Sequence, residues 1–599
     1  METNLKTKKM SFEIKDNVAH VGFGHKNSKS MTVLDEPTLS ELREVVGELH
    51  EKSSELEAVI FFSHKDRCFL AGADVNLINS LKTESEAAHG AEQGQTIFNQ
   101  IEDLSIPTVA CVHGVCLGGG LELVLACKSI IGSDSSETKF GLPEVKLGLI
   151  PGFGGTYRLP QKVGLPTSLD LILSGKTVDS RKAKKIGIID EAYPKENLLK
   201  VASNHFKAQS KKGGFKQSLE HFASDNFLSR KIIFQKAREN VLKKTKGFYQ
   251  APLKILDVME GSMNKGRSSY LASESQAFGE LCVGEQSQNL RHIYFLTEEA
   301  KKYPGPKAKR KVQKLKRGAT LGAGTMGGGI CWLMAQNAMA PRMKDINEKG
   351  LELGLKQSSK NFQDSLKKKK LSADEFERLQ RSIIPQLNYA GFEKVDLVIE
   401  AVLEDMNLKK KVFAETEKEV GEDCILTSNT SSLSIEKMSE ALEKPERFAG
   451  LHFFNPVHKM PLVEIISHSK VAPETLKALY DWALKVKKTP VIVKDGPGFL
   501  VNRILMPYLN EAGFLLEEGV PVKDIDEACL NFGMPMGPCR LLDEIGIDVG
   551  VKVAKILHEG LGDRAMASQF SEKMVEKELL GKKSSKGFYK YDDQGKPDG

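Results

Sequence analysis

Glycines at 322, 324 and 327, in Leu321-Gly-Ala-Gly-Thr-Met-Gly327, set the strictest limit on how this chain folds. A short apolar run precedes them and a helical pattern follows, so they stand at a strand-to-helix turn. Asp345 lies 23 residues beyond Gly322. In that context the spacing predicts a parallel βαβ unit that binds a dinucleotide; outside it, the same glycines would be a turn without a ligand. Gly324 lets a pyrophosphate approach the backbone at a helix N-terminus, and Asp345 accepts hydrogen bonds from both ribose hydroxyls. An acid there disfavours a 2′-phosphate, so the expected cofactor is NAD, held by Gly322, Gly324, Met326, Gly327 and Asp345. Two features depart from the ideal. Gly318 weakens the first strand, and Pro341 and Arg342 stand where the second strand normally carries apolar residues.

At 599 residues the chain has room for about three to five domains. Its 40% hydrophobic and 28% charged residues exclude a disordered or fibrous chain. No apolar run of about 18 residues predicts a membrane span. The nine cysteines are scattered and none forms C-x-x-C, which argues against a zinc ribbon, a thioredoxin-type site and a secreted disulfide framework. No metal site is expected, and the compartment is read as reducing. Met1-Glu-Thr-Asn-Leu-Lys6 has neither an apolar signal core nor transit-peptide character, so the expected location is cytoplasmic, with the mitochondrial matrix as the alternative. The balance of 86 basic against 79 acidic residues gives a net charge of +7, too mild over this length to suggest nucleic acid as a partner.

The first part of the chain alternates strands and helices. Ala58-Val-Ile-Phe-Phe-Ser63 and Pro107-Thr-Val-Ala-Cys-Val112 read as buried strands. Residues 195–300 are polar and helical in pattern. Nine Lys/Arg without an acid, broken by Pro304-Gly-Pro306, mark a boundary over 301–317 and read as a solvated linker. A second alternation follows, at Val395-Asp-Leu-Val-Ile399, Cys424-Ile-Leu426, Phe448-Ala-Gly-Leu451 and Val491-Ile-Val493. After Gly496-Pro-Gly498 the pattern is helical to about 570.

Two carboxylates stand out in the first part. Glu122 enters the first turn of an apolar helix after Gly118-Gly-Gly, and Glu144 follows in Gly141-Leu-Pro-Glu144. A carboxylate in an apolar wall is costly unless it is paired or used. Phe69-Leu-Ala-Gly-Ala-Asp74 offers a second turn whose backbone N–H groups can join those of the glycines. Two acids and two converging N–H groups suit proton transfer beside a thioester enolate. Each part alone is also an ordinary packing turn or helix-end charge. The set resembles the crotonase (enoyl-CoA hydratase) signature: Phe69–Asp74, Leu117-Gly-Gly-Gly-Leu-Glu122, and Gly141-Leu-Pro-Glu-Val-Lys-Leu-Gly-Leu-Ile-Pro-Gly-Phe-Gly-Gly-Thr156. The resemblance implies that Glu122 and Glu144 activate and deliver water across a trans-2-enoyl-CoA double bond, with the N–H groups of Ala73 and Gly119 as the oxyanion hole. The two acids are 22 residues apart, two more than in the simplest hydratases, the excess falling in the polar stretch Ser133–Thr138.

In the second part, His452 at a strand end facing Glu464 reads either as a base with the carboxylate that orients it or as an ordinary core histidine. Ser428-Asn-Thr-Ser-Ser432, His452-Phe-Phe-Asn-Pro456 and Pro497-Gly-Phe-Leu-Val-Asn-Arg503 together resemble L-3-hydroxyacyl-CoA dehydrogenase. The resemblance implies that His452 takes the 3-hydroxyl proton, that Glu464 orients it, and that Ser431, Asn455 and Asn502 contact substrate or nicotinamide. Glu404 and Lys409 match the family's cofactor-binding segment. His113 and His458 are read as structural.

A hydratase followed by an NAD-dependent dehydrogenase performs consecutive steps, so the whole chain is similar to the multifunctional fatty-acid β-oxidation proteins. The implied fold is a multidomain α/β chain. Its expected parts are a crotonase-type ββα superhelix over 1–195, a helical linker region over 196–312, a Rossmann NAD-binding domain over 313–495 and an all-α dehydrogenase domain over 496–599. Family members carry a second copy of the last domain, which this sequence lacks. Its absence predicts exposed apolar surface over 496–570 and a need for a homodimer or another partner. The alternative reading is a hydratase whose second half serves only for binding or docking. The implied substrate is an acyl-CoA thioester, and a separate beta-type thiolase subunit is the implied partner.

Overall fold

The computed structural model describes residues 5, 7–25, 31–209, 227–368 and 370–597. Its contacts divide the chain into two compact units, one ending at Leu296 and one beginning at Thr297.

The first unit is built on a strand–short strand–helix repeat. Ala58–Ser63, Cys68–Leu70 and the helix Val75–Ser80 make one copy, and Thr108–Val112, Val115–Leu117 and the helix Gly119–Leu125 the next. A third runs Ser129–Ser133, Lys139–Gly141 and a short 3-10 turn at Glu144–Leu147. The long strands lie side by side in a six-stranded sheet, ordered Met10–Lys15, Val18–Phe23, Ala58–Ser63, Thr108–Val112, Ser129–Ser133 and Glu191–Tyr193, parallel after its first pair. Runs such as Thr-Val-Ala-Cys-Val are buried along their whole length, as parallel strands covered on both faces must be. The short strands form a second sheet, in which Cys68–Leu70, Val115–Leu117 and Lys139–Gly141 are parallel neighbours. Three parallel neighbours end on the same side, so the turns after them, carrying Ala73, Gly119 and Glu144, converge.

The described residues from Leu198 to Leu296 are largely helical, as their polar pattern suggests, yet they are not a free-standing linker. Ile255, Leu256, Met259, Tyr270, Phe278 and Cys282 are buried in the same core as Phe98, Leu121 and Phe153. Helix Arg267–Val283 lies along helix Glu84–Glu102, where Gly279 permits contact with the Glu84 carbonyl.

The second unit holds an eight-stranded sheet ordered Ile384–Gln386, Arg342–Lys344, Gly318–Leu321, Leu397–Glu400, Ile425–Ser428, Phe448–Phe453, Leu462–Ser467 and Thr489–Lys494. The first six strands are parallel and Leu462–Ser467 runs against Phe448–Phe453. Strand order reverses between Gly318–Leu321 and Leu397–Glu400, the switch point where such sheets bind ligands. Gly318 does not impair its strand: a Cβ there would lie 2.6 Å from the Met334 sulfur, so the glycine seats the following helix. Pro341 stands just outside strand Arg342–Lys344, where its carbonyl accepts from Ile384 N and no ladder donor is lost. Arg342 donates to Gln386 across the sheet. The basic stretch before the sheet is tied down: the N–H groups of Lys309 and Arg310 bond Glu474, and those of Lys316 and Arg317 bond Asp396.

Helices Val501–Glu517, Val522–Phe532, Pro538–Ile545 and Ile547–Leu561 follow, packed around Leu509, Leu542, Ile547 and Leu557. Ile504, Phe532 and Met566 are left largely exposed. Among the described residues no helix is long and apolar enough to cross a membrane.

Candidate active sites

In the first unit Glu122 is buried inside the helix that the three glycines open. Its Oε1 accepts from Phe153 N at 2.8 Å and Gly155 N at 2.7 Å. Burial drives its carboxyl well above the usual range. The charges of Glu144 and Glu274 add to that, and the two N–H groups oppose it. Glu144 begins the 3-10 turn, with its Oε2 buried and without a hydrogen-bond partner. Burial pushes this carboxyl up to about 8. Two buried acids, one of whose charges acts on the other, cannot both ionise freely, so the pair keeps a proton at neutral pH.

Glycine is required around both. A Cβ at Gly118 would lie 2.7 Å from Glu144 Oε1, and one at Gly155 would lie 2.8 Å from Glu122 Oε1. The two turns expected to supply N–H groups do meet: a Cβ at Gly72 would be 3.7 Å from Gly119 N, and Ala73 pairs with Leu34 as an isolated bridge. His113 bonds Ser133 through Nδ1 at 2.8 Å.

One residue of this cluster has no signal in the sequence. Glu274, in helix Arg267–Val283, is fully buried and bonds the N–H groups of Gly154 and Thr156. It comes from 120 residues away, in the stretch whose pattern reads only as polar and helical.

In the second unit Gly322 takes φ +91°, and a Cβ there would strike the Ala401 carbonyl at 2.6 Å. Gly327 lies so close to the turn that a Cβ would sit 1.9 Å from the Gly322 oxygen. Gly324, which caps helix Thr325–Gln336, has open space instead: no atom lies within 4 Å of a Cβ built there. Met326 is partly buried in the first turn of that helix. Asp345 ends the adjacent strand and accepts from Ala323 N at 2.7 Å, bracing the glycine turn. Open space at a helix N-terminus, beside a strand-end acid, fits a dinucleotide pyrophosphate and its ribose.

His452 and Glu464 are directly paired across two antiparallel strands, with Nδ1 and Oε2 2.7 Å apart. The other oxygen of Glu464 accepts from Leu500 N and Val501 N, at 3.0 and 2.9 Å. Asn502 donates to the Ser431 carbonyl at 2.9 Å, and Glu404 accepts from Ser431 N at 3.1 Å. Lys409 is fully buried, 2.6 Å from Glu400 and 3.3 Å from Glu404. Asn455 lies exposed just beyond the His452 strand. His458 keeps a buried Nδ1 without a partner. Glu400, which also accepts from Ser428 Oγ at 2.6 Å, is a further site-supporting group. Its signal was the acid that ends the apolar run Val395–Ile399.

Three family models match the sequence. Enoyl-CoA hydratase/isomerase covers residues 13–246. The NAD-binding domain of 3-hydroxyacyl-CoA dehydrogenase covers 318–496, and its C-terminal domain 498–591. The fatty acid oxidation complex subunit alpha of Shewanella sp. (strain ANA-3) is 42% identical over 554 residues, 92% of this chain and 78% of that protein. The protein of the same description from Idiomarina loihiensis is 42% identical over 596 residues, 98% of this chain and 84% of the other. Among solved structures, (S)-3-hydroxybutyryl-CoA dehydrogenase PaaH1 from Ralstonia eutropha is 35% identical over 47% of this chain and 100% of its own, with a TM-score of 0.45.

Proposed function

This chain belongs to the family of fatty acid oxidation complex alpha subunits, and from that premise we propose how its residues divide the work. It is a bifunctional enzyme of fatty-acid β-oxidation, an enoyl-CoA hydratase joined to an NAD-dependent 3-hydroxyacyl-CoA dehydrogenase. Its substrate is an acyl-CoA thioester.

In the hydratase, Glu122 is the base. Its Oε1 is fixed by two N–H groups, and it takes a proton from water as the oxygen bonds to C3 of the enoyl chain. The N–H groups of Ala73 and Gly119 hold the enolate oxygen that results. Glu144 keeps its proton at neutral pH and gives it to C2. The water's two parts are then in the product, OH on C3 and, by proton exchange through the two acids, H on C2.

In the dehydrogenase, bound NAD supplies the acceptor for the hydrogen and electron pair leaving C3. Gly322, Gly324, Met326 and Gly327 receive its pyrophosphate, Asp345 its ribose, and Glu404 and Lys409 its nicotinamide end. Glu464 holds the Nδ1 proton of His452, which leaves Nε2 free to accept the 3-hydroxyl proton. Ser431, Asn455 and Asn502 position the substrate and the nicotinamide.

The observation that carries this division is the completeness of both acid–base sets, Glu122 with Glu144 and His452 with Glu464. A hydratase with a purely docking second half would need no buried His–carboxylate pair. We assign hydration to the unit ending at Leu296, NAD binding to 313–495, and closure of the dehydrogenase site to 496–599. A homodimer or a beta-type thiolase on the exposed apolar side chains of the last region, and a cytoplasmic location, are part of the same proposal. The bacterial source of the relatives supports the location. The test supplies a trans-2-enoyl-CoA and NAD, following loss of the enoyl absorbance and formation of NADH together. Both signals change if the division is right; an enoyl loss without NADH removes the dehydrogenase half of it.

A further inference from the structure

Four successive backbone N–H groups, Phe153 to Thr156, are shared between two glutamates. Phe153 N and Gly155 N go to Glu122, at 2.8 and 2.7 Å. Gly154 N and Thr156 N go to Glu274, at 2.6 and 3.0 Å. These include the unpaired donors that open helix Gly155–Val163, so the run has no intrahelical partners of its own to fix it.

Glu274 is a receiver only. Oε1 accepts from Gly154 N and Gln95 Nε2, and Oε2 from Thr156 N and the Thr156 hydroxyl. Donors on both oxygens require a carboxylate; an amide would turn its NH2 on one pair of them. The neighbours reinforce the clamp. Tyr270, one turn earlier on the same helix, donates to the Thr156 carbonyl, Gln95 donates to the Gly152 carbonyl, and Arg158 holds the Phe153 carbonyl. Glu122 packs so tightly on the run that a Cβ at Gly155 would touch its Oε1 and Cγ at 2.8 and 3.0 Å. Any shift of the run therefore moves the Glu122 carboxylate.

We propose that Glu274 is a positioning residue of the hydratase, fixing residues 153–156 so that their N–H groups aim Glu122 at the attacking water. The helix that carries it lies beyond residue 246, where the match to the hydratase family model stops. The hydratase site thus extends to about residue 283. The inference rests on the reading of Glu122 and Glu144 as the hydration pair.

The charge of Glu274 also acts on that pair, raising the carboxyls of both Glu122 and Glu144. The other titratable groups around it are Arg158 and Tyr270 at the run and Tyr157 against Tyr270. From the packed helices Glu92 approaches Ser275, and Lys254 pairs with Glu280; at the start of the Glu274 helix Arg267 pairs with Glu102 and Asp103. None of these replaces a lost charge at Glu274, because none bonds the N–H groups of Gly154 or Thr156.

The experiment compares full-length wild type with Glu274→Gln, measuring hydration across pH and, as an internal control, NADH formation from a 3-hydroxyacyl-CoA. The expected result is a hydratase kcat lower by about tenfold to a hundredfold, the scale of a displaced catalytic group, with KM within about twofold. The alkaline limb of the pH profile moves to lower pH by roughly half a unit or more, since a negative charge that raises the Glu144 carboxyl is gone. The dehydrogenase rate stays within about twofold. Wild-type hydration kinetics in the variant overturn the proposal. So does a loss of kcat with an unmoved pH profile, which marks only a smaller folded fraction. If Glu274→Gln does not fold, Thr156→Val decides. It removes one donor, makes Glu274 hold a proton more readily, and must shift the same limb in the same direction by less; an unshifted limb overturns the proposal. Glu144→Gln keeps the two failures apart. If it abolishes hydration while Glu274→Gln does not alter it, only the positioning role falls. If it hydrates normally, the pair itself is wrong and the positioning role falls with it.

Discussion

His452 and Glu464 are opposed residues on neighbouring antiparallel strands, and that single register pair sets the imidazole and the carboxylate 2.7 Å apart. Side chains opposite each other share one face of the sheet, so a slip by one residue would send the pair to different faces. The carboxylate is itself fixed by the N–H groups of Leu500 and Val501, at the entrance to the following helix.

Glu464→Gln should therefore act through the tautomer. Its oxygen can keep the Leu500 and Val501 bonds, but its NH2 then faces Nδ1 and puts the imidazole proton on Nε2. The base is lost while the geometry stays. The expected loss in dehydrogenase kcat is about 100- to 10,000-fold, with hydration untouched. NADH formation from a 3-hydroxyacyl-CoA measures it, and a variant within tenfold of wild type removes Glu464 from the mechanism.

With Glu144 as the proposed proton donor, it should set the alkaline limit of hydration. Burial raises its carboxyl from the usual 4.5 to about 8, so it holds its proton through neutral pH and loses it above. Hydratase kcat/KM should fall as pH rises through about 8, and Glu144→Gln should abolish hydration at every pH. The sign for stability is the same. The folded state binds this proton more tightly than the unfolded state, so the contribution is full below 4.5 and is lost as pH rises through about 8. Glu144→Gln, which cannot ionise, should lose less melting temperature than wild type between about pH 5 and pH 8. Equal losses in the two proteins would remove Glu144 as the titrating group.

Much of both sites was legible because their residues sit in short local patterns. Gly322, Gly324, Gly327 and Asp345 fall within one βαβ unit, where spacing and context mark them, while His452 and Glu464 fall within one hairpin and stood out through the surrounding motifs that resemble a dehydrogenase. Long strands such as Ala58–Ser63 and Thr108–Val112 were legible from their apolar runs, whereas Met10–Lys15, Val18–Phe23, Ser129–Ser133 and Leu462–Ser467 were not singled out. The three-residue strands Cys68–Leu70, Val115–Leu117 and Lys139–Gly141 were not, since nothing so short has a period to read. Yet their neighbouring places in one sheet are what make the turns at Ala73, Gly119 and Glu144 converge. Glu274 was hidden for a different reason. Its partners are the N–H groups of Gly154 and Thr156, and a backbone donor leaves no residue type for the sequence to match. The same absence of local signal made residues 250–283 read as linker when they belong to the core of the first unit.

The glycines of the dinucleotide turn separate folding from binding. Gly327→Ala places a Cβ against the Gly322 carbonyl and should lower the melting temperature with or without NAD. Gly324→Ala meets no protein atom, and its backbone is in a region any residue adopts. It should leave the melting temperature without NAD unchanged while raising the KM for NAD about tenfold or more, which is roughly 1.4 kcal/mol of lost contact. Melting curves with and without NAD read both effects, since a ligand stabilises only the state that binds it. A Gly324→Ala protein that NAD stabilises as well as wild type would place the pyrophosphate elsewhere.

Lys409 and Glu400 are both wholly removed from water and lie 2.6 Å apart, with Glu400 also accepting from Ser428 Oγ. Lys409 reaches Glu404 as well, and Glu404 in turn holds Ser431 N, so the buried pair supports the loop that the proposal places beside the nicotinamide. Removing one member of a buried ion pair strands the other charge, at a cost of about 3–5 kcal/mol, whereas removing both leaves no stranded charge. Lys409→Met alone should therefore lower the denaturant midpoint of the transition that NAD shifts far more than Lys409→Met combined with Glu400→Gln. Dehydrogenase activity should fall in both, because the double variant regains stability without regaining the cation beside Glu404. Hydration, which depends on the other unit, should be unaffected. If the single and double variants unfold at the same denaturant concentration, the two charges are not coupled, and Lys409 is held by its packing alone.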